Sequence, residues 1–388
     1  MDTSNEQTPG DEAGLVSRVA PLTGIRVVES SSYVSGPYSS TMLADLGAEV
    51  IKVEPPGGDG FRTFGHQVGG WSALWSSTNR GKRSIVLNLK DPGDLATMRE
   101  LLTQADVMVE NWRPHVAASL GLGQDVVQAL NPQLVRLSIS GFGESGPLAK
   151  APAFDSLIQG HTGMIDLLSP NGRPDVAPYW VVDKVVAAFG AQAVLAALYQ
   201  RERTGKGSHV SLPMLDVMAY FNFPDMFQHR TFVSDVAPWA PIISPLVRTA
   251  DGYLVITPVS GAQLSRTLKA LERPDIKAEM LAMKSSVEMI DFFYKQLNAI
   301  LSTKPSAHWL ALFESFDLPV APVKTLDEHL CDPQVLHNGI YSEIPSPVGP
   351  MRAVRYPAWF DHMHIAPAGR PPLADEHAAQ IRAELAVS

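Results

Sequence analysis

One aspartate near the start of a long helical segment is the first group in this sequence that could act as a nucleophile. Asp183 follows the apolar residues 180–182 and precedes an alanine-rich segment that ends in the Arg-x-x-Thr-Gly-x-Gly pattern of residues 201–207. A carboxylate just before a helix start is exposed, oriented and kept ionised by backbone N–H groups. Aspartate is also a preferred helix cap, so Asp183 taken alone is more readily explained as a cap than as a reactive group.

Length and composition indicate a globular protein. The 388 residues, 45% hydrophobic and 18% charged, are enough for two domains or for one large domain with a sizeable core. The net charge of −9 argues against nucleic acid or an anionic membrane surface as the main partner. The single cysteine, Cys331, excludes an intramolecular disulfide and a cysteine-ligated metal site, as expected of a cytoplasmic protein.

The N-terminal segment and the remaining apolar runs bear on targeting. Residues 1–20 are polar and acidic, and they predict a flexible extension rather than a signal peptide. No later run approaches the roughly twenty uninterrupted apolar residues of a membrane span. We therefore expect a soluble protein without a membrane span.

The elements that must position Asp183 begin with a βαβ unit. Residues 24–29 and 48–54 read as buried strands on either side of a helix at 40–46, which implies a parallel sheet. Strands at 106–110 and 134–140 and helices at 95–104 and 155–168 continue the pattern. The first turn has only Gly36 and Pro37 where a dinucleotide site needs G-x-G-x-x-G, so a nicotinamide-dependent oxidoreductase is a minor alternative.

Two loops carry groups that suit a nucleotide. Arg80, Lys82 and Arg83 precede a strand predicted at 85–89, and together they could grip phosphates or form an ordinary solvated loop. Trp112 follows the strand at 106–110, at the edge where open α/β sheets bind ligands. Its ring offers a flat face for an adenine, and packing in the core is the competing explanation.

An ordered set of motifs resembles the class III CoA-transferase family. This family includes carnitine, bile-acid and formyl-CoA transferases and the α-methylacyl-CoA racemases. The resemblance extends from Leu22 to about Asp361. The motifs are SGPYSSTMLADLGAEVIKVEPPGGDGFR, NRGKRSIVLNLKDP, ADVMVENWRP, SISGFGESGP, APAFDSLIQGHTGM, VVDK followed by AALYQRERTGKG, ADGYLVI and CDPQV.

The resemblance implies an α/β fold: a Rossmann-like large domain with a parallel sheet, plus a smaller inserted α/β domain. It also implies an obligate homodimer in which two chains thread through each other as interlocked rings. The expected segments are an extension at 1–20, the first part of the large domain at 21–225, a linker at 226–240, the small domain at 241–318, a linker at 319–330, and a C-terminal part at 331–388 that completes the large domain.

The resemblance also implies a reaction. The family's catalytic aspartate, just before the helix that ends in R-x-x-T-G-x-G, corresponds to Asp183. Its carboxylate would attack an acyl-CoA to give a mixed anhydride and CoA thiolate, and the thiolate would return to form an aspartyl-CoA thioester. A carboxylic acid acceptor would then take the CoA. The coenzyme A thioester is the substrate, and no metal or tightly bound cofactor is needed.

The CoA-contacting positions implied by the resemblance are Tyr33, Val34, Arg62, Asn79, Lys82, Asn111, Trp112 and Leu120. Arg62 and Lys82 would neutralise phosphates, while Asn111 and Trp112 would hold the nucleotide or the pantetheine arm. Formyl-CoA transferases have Gln, Arg and Lys where this chain has Val34, Ser119 and Ser140, which argues against formyl and oxalyl substrates. Those transferases carry a glycine-rich lid where residues 235–246 of this chain are rich in Pro, Trp and Ile. Such residues would suit a larger, more apolar acyl group, and they could equally belong to the core or to a dimer interface.

Other functions are weighed against transfer. Racemases of this family use a histidine in a Gly-His-Asp motif, where this chain has Phe154, and His161 further along is the nearest substitute. His362 and His364 have no partner set with metal-ligand spacing, so we expect no metal site. A non-catalytic CoA-binding subunit and hydrolysis of the aspartyl intermediate by water stay open, and neither the acyl donor nor the acceptor follows from the sequence.

Overall fold

The computed structural model describes residues 20–169, 173–228, 230–234 and 244–387. The predicted extension therefore lies outside the described residues except for its last residue, as does most of the stretch 235–246. The described residues up to Met226, together with those from Ile340 onwards, form a large unit, and Phe227–Gly339 forms a small unit. Each unit is described by itself.

The regular elements follow in chain order. The strands are β1 (Arg26–Ser30), β2 (Glu49–Glu54), β3 (Gln67–Val68), β4 (Trp71–Ser72), β5 (Arg83–Val86), β6 (Val107–Glu110), β7 (Val135–Ser140), β8 (His209–Pro213), β9 (Leu246–Arg248), β10 (Tyr253–Ile256), β11 (Val320–Pro322), β12 (Tyr341–Ile344), β13 (Met351–Val354), β14 (Trp359–Phe360) and β15 (Met363–His364). The helices are α1 (Ser35–Asp45), α2 (Ala73–Asn79), α3 (Pro92–Thr103), α4 (Pro114–Ser119), α5 (Gln124–Leu130), α6 (Asp155–His161), α7 (Met164–Leu167), α8 (Val181–Thr204), α9 (Met214–Met226), α10 (Gly261–Ala270), α11 (Pro274–Leu281), α12 (Ser286–Leu301), α13 (Ser306–Ser315), α14 (Leu326–Leu330), α15 (Pro333–Asn338) and α16 (Ala378–Val387).

The large unit is built on a six-stranded parallel sheet in the order β5-β2-β1-β6-β7-β8. In order along the chain these strands are the third, second, first, fourth, fifth and sixth of the sheet, which is the doubly wound Rossmann order. Val28 of β1 lies between Ile51 of β2 and Met108 of β6. The predicted parallel α/β fold is confirmed.

Helices cover both faces of this sheet, because its central strands are apolar on both sides. On one face α1 and α8 pack together, and Leu43 and Val186 are fully buried beside Val27. On the other face α3 and the C-terminal α16 pack against the sheet, with Leu101 and Ile381 in one hydrophobic cluster.

The long helix α8 is a core element that brings Asp183 to the sheet edge. It is apolar and long enough to cross a membrane by length and composition alone. Its valines Val182, Val186 and Val194 are fully buried in the large unit. The helix ends at Thr204 and is capped by Gly205, whose φ of 69° is the left-handed conformation that glycine favours.

The helix predicted at 155–168 is interrupted. Gly163 has a φ of 76°, in the left-handed region, and it separates α6 from α7. An α-helix cannot continue through a left-handed residue, so the segment forms two short helices. Asp155 is the first residue of α6.

In its described part, the small unit has a three-stranded antiparallel sheet in the order β11-β10-β9 and the six helices α10–α15. Its core includes Leu254, Leu297 and Phe313. The segment 319–330 differs from the predicted linker, because Val320 pairs with Ile256 across the sheet and α14 follows within the same unit.

Candidate active site

The site forms where the strand order of the sheet reverses, between β1 and β6. Parallel sheets bind ligands outside the carboxyl ends of their strands at such a point. Here the loop after β1 meets the loop after β6. The side-chain oxygen of Asn111 accepts the backbone N–H of Ser32 at 2.9 Å, and its amide donates to the Ser32 carbonyl at 2.8 Å. This pair of bonds fixes the two loops to each other.

Tyr33 in the first of these loops has an unusual backbone. Its φ of 68° places a non-glycine residue in the left-handed region, a conformation that other contacts must maintain. The side chain is 48% exposed and points toward the site rather than into the core. Helix α1 begins two residues later, at Ser35.

Asp183 lies in the first turn of α8, since the helix begins at Val181. Trp180, not Asp183, occupies the N-cap position, so the prediction that Asp183 caps the helix is wrong. The helix N-terminus is instead satisfied by Asp155, whose Oδ2 accepts the backbone N–H of Asp183 at 3.0 Å. This bond leaves the Asp183 carboxylate unused as a cap.

Asp155 is itself held in place. It is buried, and its Oδ1 accepts a bond from the Gln159 amide at 2.6 Å. The Gln159 oxygen accepts the backbone N–H of Ala177 at 2.9 Å. These bonds tie α6, the segment before α8 and the first turn of α8 into one unit around Asp183.

The environment of Asp183 makes its carboxylate harder to ionise. Burial raises the pKa of Asp183, and the negative charge of Asp155 raises it further. A hydrogen bond from the Ser35 side chain acts in the opposite direction, and the resulting pKa is about 7 instead of 3.8. The expectation that the helix N-terminus keeps this carboxylate ionised is therefore met only above a pH of about 7.

Two cavities of different character meet at Asp183. One, which we call the polar cavity, has a volume of about 310 Å³ and is lined by Asn111, Trp112 and Arg113 among others. The other, the aromatic cavity, has a volume of about 600 Å³. Asp183 lines both cavities, as do two aromatic residues that stand between them, Tyr33 and Phe154.

The aromatic cavity is lined in part by aromatic rings that contact one another. The ring centres of Tyr33 and Phe61 are 5.6 Å apart, and those of Phe61 and Trp180 are 5.7 Å apart. Phe64 stacks on Phe61 at 5.7 Å, and Phe154 meets the edge of Tyr33 at 6.1 Å. Water is poorly held by such a wall, which suits the carbon chain of a substrate.

The polar cavity offers an exposed cation that the sequence analysis missed. Arg113 is exposed and lines both the polar cavity and an adjoining cavity of about 270 Å³. Trp112 lines the same two cavities. The signal was present in the sequence, because Arg113 directly follows Asn111 and Trp112.

A buried cluster of charges lies under the loop that carries Tyr33. Lys52 Nζ donates to Glu29 Oε1 at 2.8 Å, to Asp59 Oδ2 at 2.9 Å and to the Ser31 carbonyl at 2.7 Å. Lys82 Nζ donates to the second oxygen of Glu29 at 2.7 Å. Burial would raise the pKa of Glu29, but the two lysines overcome this effect and lower it to about 2. We call these four side chains the buried charge cluster.

The predicted phosphate grip at residues 80–83 is not formed. Arg80 pairs with Asp45, and Arg83 pairs with Glu49 and Glu384. Besides its bond to Glu29, Lys82 Nζ donates to the Pro37 and Thr78 carbonyls and to Asn79 Oδ1. The three cations are thus paired with carboxylates of the protein. The hydrogen bonds of Lys82 Nζ go to protein acceptors and leave no donor for a phosphate in this structure.

Three further predicted CoA contacts are not among the residues that line the two cavities at Asp183. Arg62 forms a two-bond pair with Glu54, at 2.7 and 2.6 Å, and its guanidinium lies 3.8 Å from the Trp75 ring centre. Asn79 is fully buried. Leu120 packs against the hydrophobic cluster under Trp112. Of the predicted residues, the structure gathers Tyr33, Val34, Asn111 and Trp112 around Asp183.

The histidine weighed as a racemase base is placed elsewhere. Phe154 occupies the position beside Asp183, between the two cavities. The ring of His161 packs against Phe142, with centres 4.9 Å apart, and His161 is not among the residues that line either cavity. Among the described residues, no group of three or more His, Cys, Asp or Glu side chains could hold a metal ion.

Known proteins match this chain over nearly its whole length. Residues 22–378 match the family model described as CoA-transferase family III. An acetyl-CoA:oxalate CoA-transferase of Acetobacter aceti is 34% identical, with 98% of each chain covered. A human succinyl-CoA:glutarate CoA-transferase is 30% identical, covering 95% of this chain and 87% of the relative.

Solved structures agree with the sequence comparison. The crystal structure of a CAIB/BAIF family protein from Brucella suis superposes with a TM-score of 0.83 at 30% identity, covering 95% of this chain and all of that one. The predicted resemblance and the prediction of a CoA-transferase are confirmed. This chain belongs to CoA-transferase family III.

Proposed function

We propose that this protein transfers CoA from an acyl-CoA to a carboxylic acid through a covalent intermediate on Asp183. One observation carries the proposal. A carboxylate of raised pKa stands where a polar cavity and an aromatic cavity meet, so a single thioester bridging the two would place its carbonyl beside it. Family membership supports the transfer itself.

The reaction balances without an outside reagent. An oxygen of Asp183 attacks the thioester carbonyl, the C–S bond breaks, and a mixed anhydride and CoA thiolate result. The thiolate attacks the Asp183 carbonyl, which releases the donor acid and leaves an aspartyl-CoA thioester. An acceptor carboxylate attacks that thioester to give a new anhydride. The thiolate then takes the acceptor's acyl group and frees Asp183.

The two cavities divide the substrate between them. The pantetheine arm and nucleotide would lie along the polar cavity against Asn111, Trp112 and Arg113, with Tyr33 and Val34 beside the thioester. The acyl group would lie in the aromatic cavity. We also propose the interlocked homodimer and the inserted small domain, which the family resemblance implies.

The acceptor is proposed to be a short dicarboxylic acid, because the relatives are named for oxalate and glutarate. Although Val34, Ser119 and Ser140 depart from the formyl-CoA transferase pattern, oxalate belongs in the test set because the relative from Acetobacter aceti is named for it. An assay that incubates each acyl-CoA with each acid and separates the products by chromatography tests the proposal. A new acyl-CoA that depends on the added acid is expected.

Other products of the same assay would contradict transfer. Release of free CoA at an equal rate with and without an acid would indicate a hydrolase. Uptake of solvent deuterium at the acyl α-carbon, without any exchange of acyl groups, would indicate a racemase. Phe154, which lines both cavities, cannot serve as the second base that a racemase needs.

Arg113→Ala should weaken binding of the CoA portion. Arg113 is the exposed cation beside Trp112, and removing one charged contact to a phosphate raises KM for the acyl-CoA by about tenfold or more. The value of kcat should change much less, since Arg113 would contact the CoA portion and not the bond that breaks. Steady-state kinetics at two salt concentrations checks this, and an unchanged KM at low salt contradicts the role.

Asp155→Asn should shift the pH dependence of the rate. The nucleophile must be ionised, so activity of the wild type should rise as pH increases through about 7. Because the charge of Asp155 helps to raise the pKa of Asp183, removing it should move the acid limb of the kcat/KM profile to lower pH. Asparagine keeps an oxygen that can accept the Asp183 N–H.

A pH profile separates this role from a purely structural one. If Asp155 only holds the start of α8, the variant would lose activity by a similar factor at every pH. An acid limb that stays in place contradicts the electrostatic role of Asp155.

A further inference from the structure

Two consecutive residues of α8 with opposite charges border the aromatic cavity. Asp183 stands between this cavity and the polar cavity. Lys184 stands between it and another cavity, of about 640 Å³, which shares the wall residues Val34, Phe61 and Trp180. Consecutive helical residues point in directions about 100° apart. The cavity therefore has a reactive carboxylate at one boundary and an ammonium group at another.

The side chain of Lys184 contacts an aromatic ring. Its Nζ lies 4.6 Å from the centre of the Tyr179 ring, a cation–π contact that leaves its N–H donors available. Within the described part of the chain, Lys184 has no ion pair. Among the described residues that line the aromatic cavity it is also the only basic one. This contrasts with Arg62, Arg80, Lys82 and Arg83, whose charges are paired inside the protein.

We propose that Lys184 determines specificity for acids that carry a second carboxylate at the end remote from Asp183. This inference rests on the proposed function and names its substrate class: a linear dicarboxylic acyl group. One carboxyl carbon is joined to CoA and reacts at Asp183. The free carboxylate at the other end pairs with Lys184.

Placing a charge among aromatic rings costs free energy. A carboxylate that leaves water for an apolar cavity loses hydration, and it is tolerated there only with a charged or hydrogen-bonding partner. The rings of Phe61, Phe64 and Phe154 offer no such partner along the cavity wall, and Tyr33 and Trp180 offer only neutral donors. Lys184 supplies a charge-assisted bond to an acid of the right length, and a monocarboxylic acid of equal length gains nothing from it.

Matched acceptor pairs test the proposal. We would measure kcat/KM for glutarate against valerate, and for succinate against butyrate, with any acyl-CoA that serves as donor. The wild type should prefer the dicarboxylic member of a pair. In Lys184→Met the ratio of the two kcat/KM values should fall on the order of ten- to a hundredfold, the range of one hydrogen bond to a charged group. Lys184→Arg keeps the charge and should restore part of the preference.

Each other outcome has a distinct meaning. A preference ratio that is the same in the wild type and Lys184→Met overturns the role of Lys184, and so does a wild type that prefers monocarboxylic acids. Failure of the folded wild type to transfer CoA to any acid contradicts the proposed function instead. In that case the thermal stabilisation of the wild type and of Lys184→Met by glutarate and by valerate still decides whether Lys184 binds the second carboxylate. Glutarate should stabilise the wild type more than valerate does, and this difference should be lost in Lys184→Met.

Discussion

Asp183→Asn is expected to lower kcat/KM for CoA transfer by at least about a thousandfold, as loss of a nucleophile does in other enzymes. An amide cannot form the mixed anhydride. The fold should survive, because the bond that joins α8 to Asp155 uses the backbone N–H of residue 183 and not its side chain. Steady-state kinetics with a purified, folded variant checks this.

The same variant should be more stable than the wild type, and the difference should depend on pH. The pKa of Asp183 is raised in the folded state, from 3.8 to about 7, so its contribution to stability is greatest below pH 3.8. That contribution is lost as pH rises towards 7 and changes little above it. The free energy of unfolding of Asp183→Asn should therefore exceed that of the wild type by more at pH 8 than at pH 5. Urea unfolding of both proteins at the two pH values measures this difference.

Two results would contradict this account of Asp183. An asparagine variant that keeps most of the wild-type rate, with no return of aspartate by deamidation in its mass spectrum, removes the nucleophile from the mechanism. A stability difference that is the same at both pH values shows that the carboxylate is not held in a site that raises its pKa.

Lys52→Met is expected to lower the free energy of unfolding by about 3–5 kcal/mol, the usual cost of breaking a buried ion pair. Lys52 is fully buried, and its ammonium group forms ion pairs with the carboxylates of both Glu29 and Asp59. Without it, Lys82 alone faces these two buried carboxylates. Activity should fall too, because Asp59 Oδ1 also accepts a long bond, 3.5 Å, from the backbone N–H of Tyr33.

A matched substitution serves as the control. Lys295 pairs with Asp291 on an exposed face of α12, and Lys295→Met should change the free energy of unfolding by less than about 1 kcal/mol. Denaturant unfolding of both variants, followed by fluorescence and circular dichroism, gives the comparison. Equal effects of the two substitutions would mean that the buried charge cluster adds no more to the stability of the fold than an exposed ion pair does.

The sheet was predictable because its strands are continuous apolar runs. The sequence predicts strands at 48–54, 106–110 and 134–140, and the structure places β2, β6 and β7 within those ranges. The strand β8 was not predicted. Its sequence, HVSLP, alternates polar and apolar residues and ends in proline, a weak signal for an edge strand that pairs only with β7.

The charges around the site were harder to predict, since their partners are distant in the sequence. Lys82 is neutralised by Glu29, 53 residues earlier, and Asp155 acts on Asp183 across 28 residues. A single sequence shows that a cation or an acid is present but not what lies against it. For this reason the loop at residues 80–83 resembled a phosphate site, and the role of Asp155 was missed.

Trapping of the intermediate decides between covalent and non-covalent transfer. The enzyme would be incubated with an active acyl-CoA donor in the absence of acceptor, treated with hydroxylamine, digested and analysed by mass spectrometry. We predict a hydroxamate on Asp183 in the wild type and none in Asp183→Asn. An enzyme that transfers CoA but yields no hydroxamate or CoA adduct on Asp183, or yields it on another residue, would contradict the mechanism.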